Sequence, residues 1–285
     1  MTPPPEDSTG PIGPIDSPDP TDQIGVDPDL YREHCRLPAA VLAWAGAAVG
    51  QQVRLRRGRE CVLSTVVDTD DRAIVAPELG ELLDGVGPVR VRGEAPTPRT
   101  SLAAGRFTER ARERGPVIAV APHGGDVEPQ TDAQARRLGE HGATVWACNG
   151  WWPSGRAFDR WHVTSADLHP GSFSALDGLL GTGSGKRGAF EAAVSFHGWR
   201  HDGVGIGGGA PRNVRQRVTE AIEGILSPEI PVERIDEGDY VGDSPENVVN
   251  WLTDDDTSGV QIEQSTEVRW RHGMDVADAV ADVLL

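Results

Sequence analysis

Two residues five positions apart, His123 and Glu128, carry the first chemical signal in this sequence. They follow the apolar run Val117-Ile118-Ala119-Val120-Ala121, which Pro122 stops, and Gly124 and Gly125 lie between them. Such a run reads as a buried parallel strand entering a tight loop. In open α/β sheets ligands sit at the carboxyl ends of strands, so this histidine and carboxylate can turn onto one cation. Zinc in hydrolytic sites takes three protein ligands from histidine and carboxylate and leaves one position open. His197, at the end of a strand expected over residues 190–196, is the third candidate. Glu263, after Gly259-Val260-Gln261-Ile262, places a carboxylate at another strand end, where burial is otherwise unfavourable and a general base is wanted. The expectation is one zinc ion per chain, held by His123, Glu128 and His197.

The elements that must position these groups follow from periodicity. From about residue 106 onward, strands alternate with helices. That alternation predicts an α/β architecture. Strands are expected over residues 117–121, 143–148, 161–164, 190–196, 231–235 and 259–263. Helices are expected over 129–141, 172–180, 213–226, 245–252 and 276–284. In the helix at 213–226, Val214, Val218, Ile222 and Ile225 form one apolar face. Residues 29–105 have a different texture: an Ala-rich helix over 37–49, then short alternating strands at 51–55, 61–67 and 89–92. This part is expected to be a small β-rich extension. Residues 1–28 contain eight prolines and few apolar side chains, the composition of a disordered tail.

Composition bounds the function. The formal net charge is -17, and Lys186 is the only lysine. Acidic excess with arginine as the main cation fits a surface adapted to high salt; a GC-rich genome also favours arginine. No basic stripe points to nucleic acid. No run approaches the ~20 apolar residues of a membrane span, and no cationic-then-apolar leader opens the chain, so a cytoplasmic protein is expected. Cys35, Cys61 and Cys148 form no CxxC pair, which leaves free thiols rather than a thiolate metal site.

Two glycine-rich stretches suggest other chemistry and fail. Residues 181–187 resemble a phosphate loop, but Leu180 and Arg187 stand where glycine and a hydroxyl are required. Gly205-Ile206-Gly207-Gly208-Gly209-Ala210 fits a dinucleotide fingerprint without the buried strand that should precede it. Its glycines instead allow close backbone approach or a turn.

Five motifs in order, Ala121-Pro122-His123-Gly124-Gly125-x-x-Glu128, Trp161-His162-Val163-Thr164-Ser165, Ser195-Phe196-His197-Gly198, Ile206-Gly207-Gly208 and Gly259-Val260-Gln261-Ile262-Glu263, resemble the poly-γ-glutamate hydrolase family over about residues 107–285. The resemblance implies a zinc carboxypeptidase-like fold: an open, mixed, mostly parallel sheet with helices on both faces. It implies zinc on His123, Glu128 and His197, and Glu263 as the catalytic carboxylate. The substrate implied is the γ-linkage of an anionic polymer that carries free α-carboxylates. Arg200, Arg212 and Arg269 lie near these motifs in sequence and are candidate carboxylate clamps. His162 is a candidate hydrogen-bond donor to substrate. Two alternatives remain open: a zinc carboxypeptidase or amidase acting on other peptides, and a non-catalytic binding protein on the same fold.

Overall fold

A computed structural model describes residues 24–85, 87–97, 105–181 and 188–285. The N-terminal part contains β1 (Gly25–Val26), β2 (His34–Leu37), α1 (Ala39–Ala45), β3 (Gln52–Arg57), β4 (Glu60–Thr69), β5 (Ile74–Val75), α2 (Pro77–Leu82) and β6 (Arg90–Arg92). Its strands form a six-stranded sheet in the order β1-β5-β2-β4-β3-β6. Residues 24–28, assigned to the tail on composition, are thus partly within this sheet; the rest of that tail lies outside the described residues.

The larger part runs β7 (Arg106–Arg112), β8 (Val117–Gly125), α3 (Thr131–Glu140), β9 (Thr144–Trp151), α4 (Ala157–Trp161), α5 (Ser174–Leu179), β10 (Ala192–Gly198) and β11 (Val204–Gly207). It continues with α6 (Arg212–Ile225), β12 (Val232–Arg234), α7 (Val248–Trp251), β13 (Gly259–Gln264), α8 (Thr266–Arg271) and α9 (Gly273–Leu284). Seven strands form one sheet in the order β12-β11-β13-β10-β8-β9-β7. The pairings β8/β9, β8/β10, β10/β13 and β11/β12 are parallel, whereas β7/β9 and β11/β13 are antiparallel. This is the mixed, mostly parallel sheet expected from the sequence.

Period-2 alternation along the central strands feeds two cores. Ala119, Ala121, Val145, Ala147, Val194 and Phe196 pack with Leu138 of α3, Val218 and Ile222 of α6, and Val276 and Val280 of α9. On the other face, Ile118, Val120, Trp146, Cys148 and Ala193 meet Trp161, Leu176, Val249 and Trp251 from the short helices. Leu63 and Ala95 of the N-terminal part belong to this second cluster, so the two sheets share buried apolar surface. In α6, Ile225 is exposed, and Leu226, just past the helix, is buried in its place.

Two segments depart from the sequence expectation. Residues 161–164 are not a strand: Trp161 ends α4, and the backbone N–H of Thr164 donates to the Glu33 carboxylate instead of to a ladder. Val204–Gly207, overlapping the glycine stretch from 205 that was expected to be a turn or a close backbone approach, is β11, fully inside the sheet. Its glycines are sterically required. A Cβ on Gly207 would lie 2.5 Å from the Val241 carbonyl, and Gly208 has φ +98°. Of the loop at 181–188, residues 182–187 lie outside the described residues. No helix among the described residues is long and apolar enough to cross a membrane.

Candidate metal and catalytic site

Three adjacent strands, β8, β10 and β13, bring the chemistry together at their carboxyl ends. His197 pairs in register with Glu263 across β10 and β13, so adjacency of the two is a property of the ladder. Beyond Ala121, the β8/β9 register shifts before pairing resumes at Gly124, and His123 sits in that irregularity. The turn that follows is closed by the Glu128 N–H donating to the His123 carbonyl at 2.7 Å, which folds the two side chains onto the same point. Gly125 has φ +70°, and a Cβ there would lie 2.6 Å from the Gly150 carbonyl. The glycine pair is what permits the turn.

His123, Glu128 and His197 are all buried, at 2%, 5% and 3% exposure. Nε2–H of His123 donates to the Val163 carbonyl at 2.8 Å, which leaves Nδ1 bare. That Nδ1 lies 3.2 Å from Oε2 of Glu128 and 3.2 Å from Nδ1 of His197, and His197 Nδ1 lies 3.5 Å from the same Oε2. Oε2 of Glu128 is buried and has no hydrogen-bond partner among the described residues. A tetrahedral ion with bonds of about 2.0–2.1 Å spaces its ligand atoms about 3.3–3.4 Å apart, so this triangle has the edge lengths of a zinc site. His162 provides a second, looser combination. One donor atom from each of His123, Glu128 and His162 lies within 4.8 Å of the others, but His162 Nε2 is 4.0 Å from Glu128 Oε1. Its Nδ1 is already engaged by Glu33 at 2.5 Å. The tighter triangle is the one containing His197.

Electrostatics match this arrangement. Burial penalises the Glu128 carboxylate, yet the nearby His123 and His197 rings hold its pKa well below the ordinary range. Burial also opposes the His123 imidazolium, but Glu128, the Val163 carbonyl and Glu33 together raise its pKa. His197 and His162 are pushed down, burial being the largest cause for both. Glu263 is driven well above its usual range, first by burial and then by the charge of Glu128, against the pull of Arg269 and Gln261. Gln261 Nε2 donates to Glu263 Oε1 at 3.0 Å, and Asn247 Nδ2 in turn donates to Gln261 Oε1 at 2.9 Å. The carboxyl is thus oriented by a short chain of amides.

These groups line a cleft of about 1000 Å³. The cleft places the remaining candidates unequally. Arg269 is 6% exposed, donates through Nη1 to the Pro129 carbonyl at 2.9 Å, and lines the cleft. Gly198 makes room for it: a Cβ there would lie 2.6 Å from the Arg269 guanidinium carbon. His162 also lines the cleft, as does the exposed Arg200. Arg212 does not. It begins α6 and lines a separate depression with Asn213, Gln216 and Arg234, because nearness to a glycine motif in sequence says nothing about which way the next helix leaves the sheet. Sequence reasoning missed Glu33, Tyr31 and Arg32. The latter two line the cleft, and all three come from the segment just before or at the edge of β2, where no periodic pattern marks them.

Residues 102–274 match the family model for poly-gamma-glutamate hydrolase. Among solved structures, a bacteriophage poly-gamma-glutamate hydrolase is 22% identical, covers 65% of this chain and 90% of its own, and has a TM-score of 0.51. YNDL in a zinc-free apo form is 21% identical, covers 62% of this chain and 89% of its own, with a TM-score of 0.51. A metallo-carboxypeptidase from Pseudomonas aeruginosa is 15% identical over 92% of this chain and 88% of its own, at a TM-score of 0.37. Comparison with curated proteins finds no match. The structural likenesses are likenesses of fold; the match over residues 102–274 covers more than half of the sequence, and on it the chain belongs to the poly-gamma-glutamate hydrolase family.

Proposed function

We propose that this chain is a zinc-dependent hydrolase of γ-glutamyl amide bonds, with poly-γ-glutamate as the polymer it acts on. The observation that carries this reading is the triangle of His123 Nδ1, Glu128 Oε2 and His197 Nδ1, with edges of 3.2, 3.2 and 3.5 Å, in register with Glu263. His123, Glu128 and His197 are the residues that would hold the ion. Family membership supports the bond class and the substrate.

A zinc ion held there supplies Lewis-acid activation of water and of the scissile carbonyl. Glu263 performs the proton work. Its carboxylate takes a proton from the attacking water, and the same oxygen returns that proton to the departing amine nitrogen as the C–N bond breaks. Burial and the neighbouring Glu128 raise its proton affinity in the metal-free protein, and a cation held by His123, Glu128 and His197 would favour the ionised form that accepts the proton. Gln261 and Asn247 keep the carboxyl in one orientation. Arg269, fixed by Pro129 and Thr266, presents a cation beside Glu128 and Glu263, and the half-buried Arg32 and the exposed Arg200 add guanidinium groups at the cleft for the α-carboxylates of the polymer.

The test uses purified protein in molar salt with poly-γ-glutamate, following chain length with and without a zinc chelator. Shortening that the chelator stops and zinc restores is the expected result. A protein that binds about one zinc per chain but leaves the γ-linked polymer intact while cleaving α-linked oligoglutamate would overturn the substrate assignment.

A further inference from the structure

One wall of the cleft comes from outside the family region. Tyr31 and Arg32 line it together with His123, His162 and Glu263, and the next residue, Glu33, reaches into the protein and is 3% exposed. Both oxygens of Glu33 are spent on the segment that carries His162. Oε1 accepts from His162 Nδ1 at 2.5 Å, and Oε2 accepts from the Thr164 N–H at 2.8 Å and the Thr164 hydroxyl at 3.2 Å. A buried carboxylate is costly unless fully hydrogen-bonded; the adjacent Arg32 reaches Oε1 at a long 3.4 Å, and the short bonds come from a loop 129 residues away in sequence.

Docking of the two sheets does not require it. His34 pairs with Asp167 at 2.8 Å, Gln52 donates to the Asp167 carbonyl and receives the His169 N–H, and Arg160 pairs with Glu60. None of these six residues lines the cleft. Glu33 differs in what its partner does next. His162 lies against His123 with ring centroids 4.1 Å apart and a 35° tilt, and stacks on Phe158 at 4.4 Å, whose ring also carries the Arg32 guanidinium. Held this way, His162 turns Nε2 to the cleft. At 4.0 Å from Glu128 Oε1, that nitrogen is too far for a hydrogen bond there.

We propose that Glu33 is a positioning residue of the active site: it holds the proton of His162 on Nδ1 and so presents a bare Nε2 to the substrate as a hydrogen-bond acceptor, in place of the donor role expected from the sequence. The N-terminal sheet is therefore part of the catalytic apparatus. The kinetic side of this proposal rests on the γ-glutamyl hydrolase reading, while the proton placement does not. A carboxylate can only accept, so it dictates Nδ1–H. An amide in its place can accept from Thr164 with its oxygen and donate to His162 with its nitrogen, which moves the ring proton to Nε2.

The experiment compares the full chain with Glu33→Gln, both zinc-loaded. Ring 15N shifts of His162 are measured alongside kcat and KM on poly-γ-glutamate, with zinc content and thermal unfolding as controls. Expected are an Nδ1-protonated His162 in the unaltered protein, a shift to Nε2–H in the variant, and a kcat lower by roughly 10- to 100-fold with KM little changed. An unaltered protein with Nε2–H overturns the proposal even if the variant does not fold. A variant with unchanged ring signature and unchanged kcat overturns it as well. If the unaltered protein cleaves no γ-linked polymer, the hydrolase reading fails, and the 15N comparison alone decides the role of Glu33.

Discussion

Replacing Glu263 by glutamine is expected to move activity and stability in opposite directions. The carboxyl is buried, oriented by Gln261, and beside a second buried carboxylate, Glu128. The amide keeps the oxygen that accepts from Gln261 but cannot take a proton from water. Loss of a general base costs about 10²- to 10⁴-fold in rate, equivalent to about 2.7–5.5 kcal/mol of barrier. Stability should change the other way in chelator-treated protein. The folded-state pKa of Glu263 lies above the unfolded value of about 4.3, so the folded state binds the extra proton. By linkage its contribution to stability declines as pH rises from about 4.3 through the raised folded value, and it remains lost above that. Glutamine has no such dependence. At neutral pH the zinc-free variant should therefore melt higher than the zinc-free parent, and the difference should vanish near pH 4. A relief of about 1 kcal/mol corresponds to ~2–4 °C in a protein of this size class. Bound zinc favours the carboxylate and should shrink the gap. Thermal unfolding at several pH values with and without chelator, together with steady-state kinetics, reads both effects. A variant that melts lower than its parent without metal, or that keeps its rate, would show that Glu263 is an ordinary stabilising side chain.

His197→Ala and His162→Ala separate the two possible third ligands. Metal analysis after dialysis should find zinc lost from the first, by more than the 10- to 100-fold typical of an outer-shell change, and retained by the second; the reverse pattern would assign the site to His162. Gly124→Ala places a Cβ 2.5 Å from the Cys148 carbonyl and 2.6 Å from Asp132 Cβ. It should cost about 1–3 kcal/mol and weaken zinc binding by displacing His123, as melting curves and zinc titration would register; an unchanged midpoint would mean the β8 turn has slack.

The sheet and the strand-end positions of His123, His197 and Glu263 were legible because both follow from the same signal. An apolar run that ends in a polar residue marks where a parallel strand leaves the core; glycine follows His123 and His197, whereas Gln264 follows Glu263. What was not legible has physical causes too. β7 is a charged edge strand, Arg106 to Arg112, with only Phe107 buried, so it lacks an apolar pattern. Glu33 carries no local mark at all, since its meaning depends on a histidine on another layer. Trp161 to Thr164 looks like a strand by residue type, but a buried carboxylate accepts the Thr164 N–H that a ladder would need. Arg212 shows the limit of sequence proximity: it adjoins the motif at 206–208 yet leaves the sheet on α6, away from the cleft.

The junction between Glu33 and the loop at 162–164 also has a consequence for synthesis. At about 5–20 residues per second, the ribosome needs roughly 6–26 s to add the 129 positions from Glu33 to His162. Throughout that interval the nascent N-terminal segment lacks His162 and Thr164, the partners that later join Arg32 on Glu33, and lacks the rings that cluster with Leu63 and Ala95. The emerging chain thus carries apolar residues and an acid whose short hydrogen bonds are still to be made. A charge flanking apolar residues disfavours premature association, and the carboxylate is buried only once the second sheet is in place.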